Sequence, residues 1–174
     1  MTDDRSSRSA RHQADAVNPD QLDRNLRLLD VAATREDRLT LLGQIGEAQL
    51  ALGYYREAEA TLREAVTLAG ELVDRRMSCA NLIQLASAIQ HQNRNEEAAE
   101  LYRAAIDSAD EADGARDDLA GSALLHYGAC LAELGRREEA IASLRRALTL
   151  RRAGGDRAQV AATEKALAAL GAAG

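Results

Sequence analysis

The sequence lacks the residues that fill most sheet proteins. It has no tryptophan and no phenylalanine, and its four tyrosines give an aromatic share of 2%. A core so poor in rings must be built from leucine and alanine, which favour helices over strands, and this argues against a β-sandwich or barrel. No run approaches the roughly 18 to 20 apolar residues of a membrane span. The opening Met1-Thr2-Asp3-Asp4-Arg5 has no apolar stretch behind its charges, unlike a secretory signal. A soluble, cytoplasmic protein is the expectation. Cysteine is scarce too: Cys79 and Cys130 each lie in a helical pattern and are expected as free, buried thiols rather than as a disulfide. Lysine occurs once, at Lys165, among 22 basic residues, which reads as the codon preference of a GC-rich genome.

Charge narrows the partners. The 22 basic residues against 28 acidic ones leave a net charge of −6. Nucleic-acid binding draws mostly on phosphate neutralisation, so no nucleic-acid partner is expected. The 174 residues suit one domain, with 46% hydrophobic residues to supply a continuous core.

Residues 1–17 carry no apolar periodicity, and their three acids and three arginines cancel. They are expected as a disordered tail ahead of a single domain over 18–174. Asn18-Pro19 starts a helix, a cap residue followed by proline at the first helical position. Leu22, Leu26 and Leu29 extend it at helical spacing to about Ala33.

The chain then repeats itself. Residues 42–53 (LGQIGEAQLALG), 82–93 (LIQLASAIQHQN) and 124–135 (LLHYGACLAELG) overlay, and each ends in Gly or Asn, which tolerate the left-handed closure of a helix. Each is followed by a second amphipathic segment, REAEATLREAV at 56–66, EEAAELYRAAI at 96–106 and REEAIASLRRAL at 137–148. Ala58, Ala98 and Ala140 are equivalent, at spacings of 40 and 42 residues. Self-similarity at that period means stacked helical hairpins.

This pattern resembles tetratricopeptide repeats, in the longer form found in kinesin light chains. The family's small first-helix residue falls on Gly46, Ala86 and Gly128, and the large apolar one before it on Ile45, Leu85 and Tyr127. The second-helix pair falls on Ala58 with Leu62, Ala98 with Tyr102 and Ala140 with Leu144, and a further small residue on Ala65, Ala105 and Ala147. The resemblance implies an all-α, right-handed α-solenoid of three hairpins at about 39–72, 79–112 and 121–154, with flanking capping helices. Close crossings explain the small residues independently, since a larger side chain at Ala98 or Gly128 would overpack at a cost of about 1–3 kcal/mol. The family's first-helix aromatic is leucine here (Leu42, Leu82, Leu124), and its inter-repeat proline is missing. Gly70, Gly114 and Gly154-Gly155 are expected to make those connections. At the C-terminal end, 157–170 resembles a first helix in which Glu164 takes the small-residue position. A glutamate does not fit a tight crossing, so this segment is expected as a cap with no second helix on that face.

Enzyme chemistry finds no support. His12 lies in the tail, and His91 and His126 occupy inequivalent positions with no ligand set around them, so neither a metal nor another cofactor is expected. No glycine-rich phosphate loop or nucleophile motif occurs. Glu96-Glu97 and Glu138-Glu139 sit at second-helix starts, where carboxylates favour the helix dipole.

In tetratricopeptide solenoids the first helices line a concave groove. The resemblance places Gln44, Gln84 and His126 there as a polar ladder, with Glu47 and Ser87 beside them and His91 and Glu133 near the helix ends. Such side chains suit the backbone of an extended peptide, and polarity is also the default of any exposed helix position. The carboxylate clamp of chaperone-tail binders is not supported, since its positions hold Gly43, Ile83, Glu47 and Ser87. Residues 95–118 hold nine acids and two arginines, while 136–157 hold seven arginines and three acids. That segregation fits pairing between neighbouring repeats, or a charged docking face. The expected role is a protein–protein interaction scaffold holding a partner's peptide or helix in the groove. A self-assembling homo-oligomer and a regulatory domain acting on a separate enzyme are the alternatives. No membrane partner is expected.

Overall fold

The computed structural model describes residues 19–111 and 116–171, and these form eight α-helices. They are α1 (Pro19–Asp30), α2 (Arg35–Ala51), α3 (Tyr55–Glu71), α4 (Arg75–Gln90), α5 (Asn95–Glu111), α6 (Arg116–Glu133), α7 (Arg137–Gly154) and α8 (Arg157–Ala169). The chain is an all-α repeat solenoid. The three hairpins are α2/α3, α4/α5 and α6/α7, flanked by α1 and α8. The expected tail and Gly114 lie outside the described residues.

Local chemistry sets the helix ends. Thr34, Asp74 and Asp156 cap α2, α4 and α8, each accepting a hydrogen bond from a first-turn backbone N–H. The turns inside the hairpins use backbone closure instead. Tyr54, Arg94 and Arg136 each donate their N–H five residues back, to Gln49, Ile89 and Leu131, with the residue before in the left-handed region. Those residues are Gly53 (φ 81°), Asn93 (φ 61°) and Gly135 (φ 75°), as the repeat ends predict.

The connection from α3 to α4 corrects the sequence reading. Asp74 closes the helix in the same way, on the Ala69 carbonyl, but the left-handed residue is Val73 (φ 57°), while Gly70 stays inside α3. Helix length sets which residue meets the turn, and the helix runs past the glycine. At the α7 end, Gly154 remains helical and Gly155 takes the left-handed position (φ 79°).

Packing follows the small residues. A Cβ added to Gly46 would lie 2.4 Å from Leu62 Cδ2, and one added to Gly128 would lie 2.8 Å from Leu144 Cγ and 3.2 Å from the Ala140 carbonyl. Leucines of the second helices thus rest directly on first-helix backbone. One continuous core runs from Ala58 and Leu62 through Leu85, Ile89 and Tyr102 to Leu124, Cys130 and Ala147. Leu22 of α1 packs on Ile45 and Ala48 of α2, and Leu167 of α8 packs on Leu144 and Leu148 of α7. Glu164 faces solvent and pairs with Arg152 at 2.8 Å. The first helices α2, α4 and α6 approach one another backbone to backbone, whereas the second helices α3, α5 and α7 stay further apart. The row of first helices is therefore the inner side of the curve and the second helices the outer.

Candidate functional site

Three parallel helices with their backs on the core leave one inner face open. On α2 that stripe is Thr40, Gln44, Glu47 and Ala51, all exposed. On α6 it is Ser122, His126, Ala129 and Glu133, half-buried at Ser122 and exposed beyond. On the central α4 it is Ala80, Gln84 and Ser87, all half-buried, and His91 just past the helix end. The residues expected from the sequence are among these, and those on the central α4 are the more buried.

The floor between α4 and α6 is Tyr102, reaching inward from α5 with no exposed surface. Its hydroxyl donates to Gln90 Oε1 at 3.0 Å. The His126 imidazole lies parallel to its ring, 9° between planes and 6.0 Å between centroids. Burial pushes the Tyr102 phenol far above its ordinary range, so it stays a neutral donor. Desolvation in the groove, and then the Arg151 guanidinium, lower the pKa of His126, which leaves the imidazole neutral at neutral pH. On α4, one turn before Ser87, the buried Oε1 of Gln84 has no hydrogen-bond partner. An unpaired buried acceptor costs about 1–3 kcal/mol.

The other expected residues divide. Gln44 and Glu47 stand exposed on α2. His91 stacks on Tyr55 of α3 at 4.5 Å, so its ring is engaged at the rim. Glu133 accepts from Gln90 Nε2 at 2.9 Å and Asn95 Nδ2 at 3.2 Å, tying α6 to the α4/α5 turn. The structure thus brings His126 and Gln90 to Tyr102, and draws His91 and Glu133 into contacts between hairpins. Tyr102 and Gln90 were absent from the expected set. The repeat register marks Tyr102 as a packing residue, and nothing in the sequence indicates that its buried hydroxyl donates to Gln90 or that its ring lies parallel to His126.

Outside the groove, the seam between the first two hairpins is bound by a charged network. Glu59 accepts from Arg63 Nη2 (2.8 Å), Gln92 Nε2 (2.8 Å) and Arg94 Nη1 (2.7 Å), and Arg63 reaches on to Glu97 (2.8 Å). Desolvation alone would raise the Glu59 pKa, but the donated hydrogen bonds outweigh it and hold the carboxyl down to about 2. In the second seam Arg146 pairs with Asp110 at 2.8 Å, so part of the segregated charge is satisfied between neighbouring repeats. Both thiols are buried, and burial raises each to about 11.

Two tetratricopeptide repeat models match the chain, over residues 39–71 and 76–153. No curated protein matches it. Among solved structures, BtubC (BKLC) from P. vanneervenii is similar with a TM-score of 0.70 and 22% identity, over 92% of this chain and 65% of that one. Two structures of a putative kinesin light chain with nearly identical TPR-like repeats, from Podosopora anserina, are also similar. One, a point variant, has a TM-score of 0.71 at 17% identity, over 94% of this chain and 82% of that one. The other has a TM-score of 0.68 at 18% identity, over 98% and 87%. The chain therefore spans just under two thirds of the first of these proteins and most of the other two. No helix among the described residues is long and apolar enough to cross a membrane.

Proposed function

Because the chain belongs to the tetratricopeptide repeat family, we propose that it is an interaction scaffold that holds a peptide or helix of a partner protein in its inner groove. Tetratricopeptide repeats generally mediate protein–protein interaction, and the fold is typically a non-enzymatic scaffold. The observation that carries the groove reading is the polar centre of the inner face: Gln84 with an unpaired buried acceptor and Ser87 on α4, and the neutral His126 on α6. These groups give and accept hydrogen bonds without net charge, which matches an extended peptide backbone in both its N–H and C=O. Gln84 sits on the central α4, whose inner-face residues are the more buried.

The test is affinity capture from the native cell extract, wild type beside the Gln44→Ala/Gln84→Ala/His126→Ala variant, with circular dichroism to confirm equal folding. A protein held by wild type and lost from the variant supports the groove. Identical recoveries by both baits count against it.

A further inference from the structure

The two seams between hairpins are built from equivalent positions and end differently. In the first, Arg63 of α3 reaches Glu97 of α5, and Glu59 gathers Arg63, Gln92 and Arg94 into one network. In the second, the equivalent of Glu59 is Ala99, and the network is gone. Arg103, equivalent to Arg63, turns to Glu100 of its own helix, and Glu139, equivalent to Glu97, repeats the contact of Glu97 to Arg94 in its pair with Arg136 but lacks the one to the preceding hairpin. Between them lies a cleft of about 450 Å³ on the outer face, running between α5 and α7 over α6.

The cleft has an apolar floor and a position left unfilled. Tyr127, flanked by Leu124 and Leu131, forms the floor, and Ile106 forms the α5 wall. On α7 the wall is Ala142 and Ser143. One repeat earlier the equivalent of Ser143 is Leu101, which packs against the main core. Serine in place of leucine leaves Tyr127 half-buried beneath the opening. At the rim Arg103, Arg146 and Glu139 each have an intramolecular partner. Asp107, exposed at the same rim, has no cation paired with it among the described residues.

We infer that this outer cleft is a second docking surface, for a partner segment that seats a leucine-sized side chain on Tyr127 and presents a lysine or arginine to Asp107. The apolar side chain takes the place that Leu101 fills in the preceding repeat, and the base meets a rim carboxylate that no described residue neutralises. A basic amphipathic helix combines both, with the base one turn from the apolar anchor. The surface lies on the opposite side of the solenoid from the groove, so the two work independently.

The test is fluorescence anisotropy of the full chain with a labelled amphipathic peptide of leucine, lysine and alanine, beside its twin carrying glutamate for lysine. The basic peptide binds and the acidic twin does not. Filling the cleft with Ser143→Leu weakens binding more than about tenfold, the loss expected when a central apolar anchor has no pocket. Ser143 donates to the Leu124 carbonyl at 2.8 Å, so Ala142→Leu, which breaks no hydrogen bond, is the companion variant. Asp107→Asn weakens binding about threefold, as one exposed ion pair does. Gln84→Ala/His126→Ala leaves it unchanged. Wild-type affinity in both filled variants, equal binding of the acidic twin, absence of binding, or loss only in the groove variant each overturns the inference.

Discussion

Val73 is a β-branched residue in the left-handed region, and its replacement should stabilise the protein. At φ 57° its Cβ crowds the following carbonyl, at a cost of roughly 1–2 kcal/mol for an L-residue, and branching places valine at the upper end. Glycine removes that cost but adds unfolded-state entropy of about 0.5–1 kcal/mol. The side chain is 72% exposed, so little burial is lost. Val73→Gly should therefore gain about 0.5–1 kcal/mol, and Val73→Asn about as much, since Asn93 already holds φ 61° in the turn of the second hairpin. Val31 supplies the control, a valine 74% exposed in the turn after α1 and not left-handed. Val31→Gly should be neutral or destabilising. Thermal unfolding by circular dichroism reads the difference, about 2–4 °C per kcal/mol at this size. If Val73→Gly lowers Tm as Val31→Gly does, the strain argument is wrong.

Three further outcomes follow from packing and charge. Gly128→Ala drives a methyl into Leu144 and the Ala140 carbonyl, and even after alanine's helix preference it should cost about 1–2 kcal/mol in urea unfolding. Glu59 is held down to about 2, so the stability it contributes is complete above its ordinary value of 4.5 and is lost as pH falls from there toward about 2. Glu59→Gln should cost on the order of 1–2 kcal/mol at neutral pH, and the difference from wild type should shrink across that acid window. Cys79 and Cys130, raised to about 11 by burial, should stay silent to a thiol-reactive disulfide reagent at neutral pH and react only on unfolding; immediate labelling of the native protein would contradict that burial.

What the sequence revealed of the fold is what close packing imprints on single positions. Gly46 and Gly128 are small because a leucine of the facing helix occupies the space a Cβ would take, and Gly53, Asn93 and Gly135 mark turns whose backbone must go left-handed. The α3–α4 turn escaped the same reasoning. Gly70 is the turn signal in the local sequence, but helix length places Val73 at the closure, and no local composition signals a strained valine. Register sets which first-helix residues are more exposed, because exposure on a helix follows its period. Their contacts did not follow from register. His91 stacks on Tyr55 and Glu133 binds Gln90 and Asn95 because neighbouring hairpins approach closely at the turn edge. The Glu59 network joins residues 33 to 35 positions apart, and its carboxylate stood outside the two charge-segregated segments that drew notice.

Whether a partner lies in the inner groove is read by site-specific photo-crosslinking in the native cell. A photoreactive residue replaces Ser87 at the groove centre in one protein and Thr67, exposed on α3 of the outer row, in another. A partner held in the groove gives a discrete crosslinked protein from position 87, identified by mass spectrometry with its attached peptide, and none from position 67. A partner captured from position 67 and not from position 87 would contradict the groove reading.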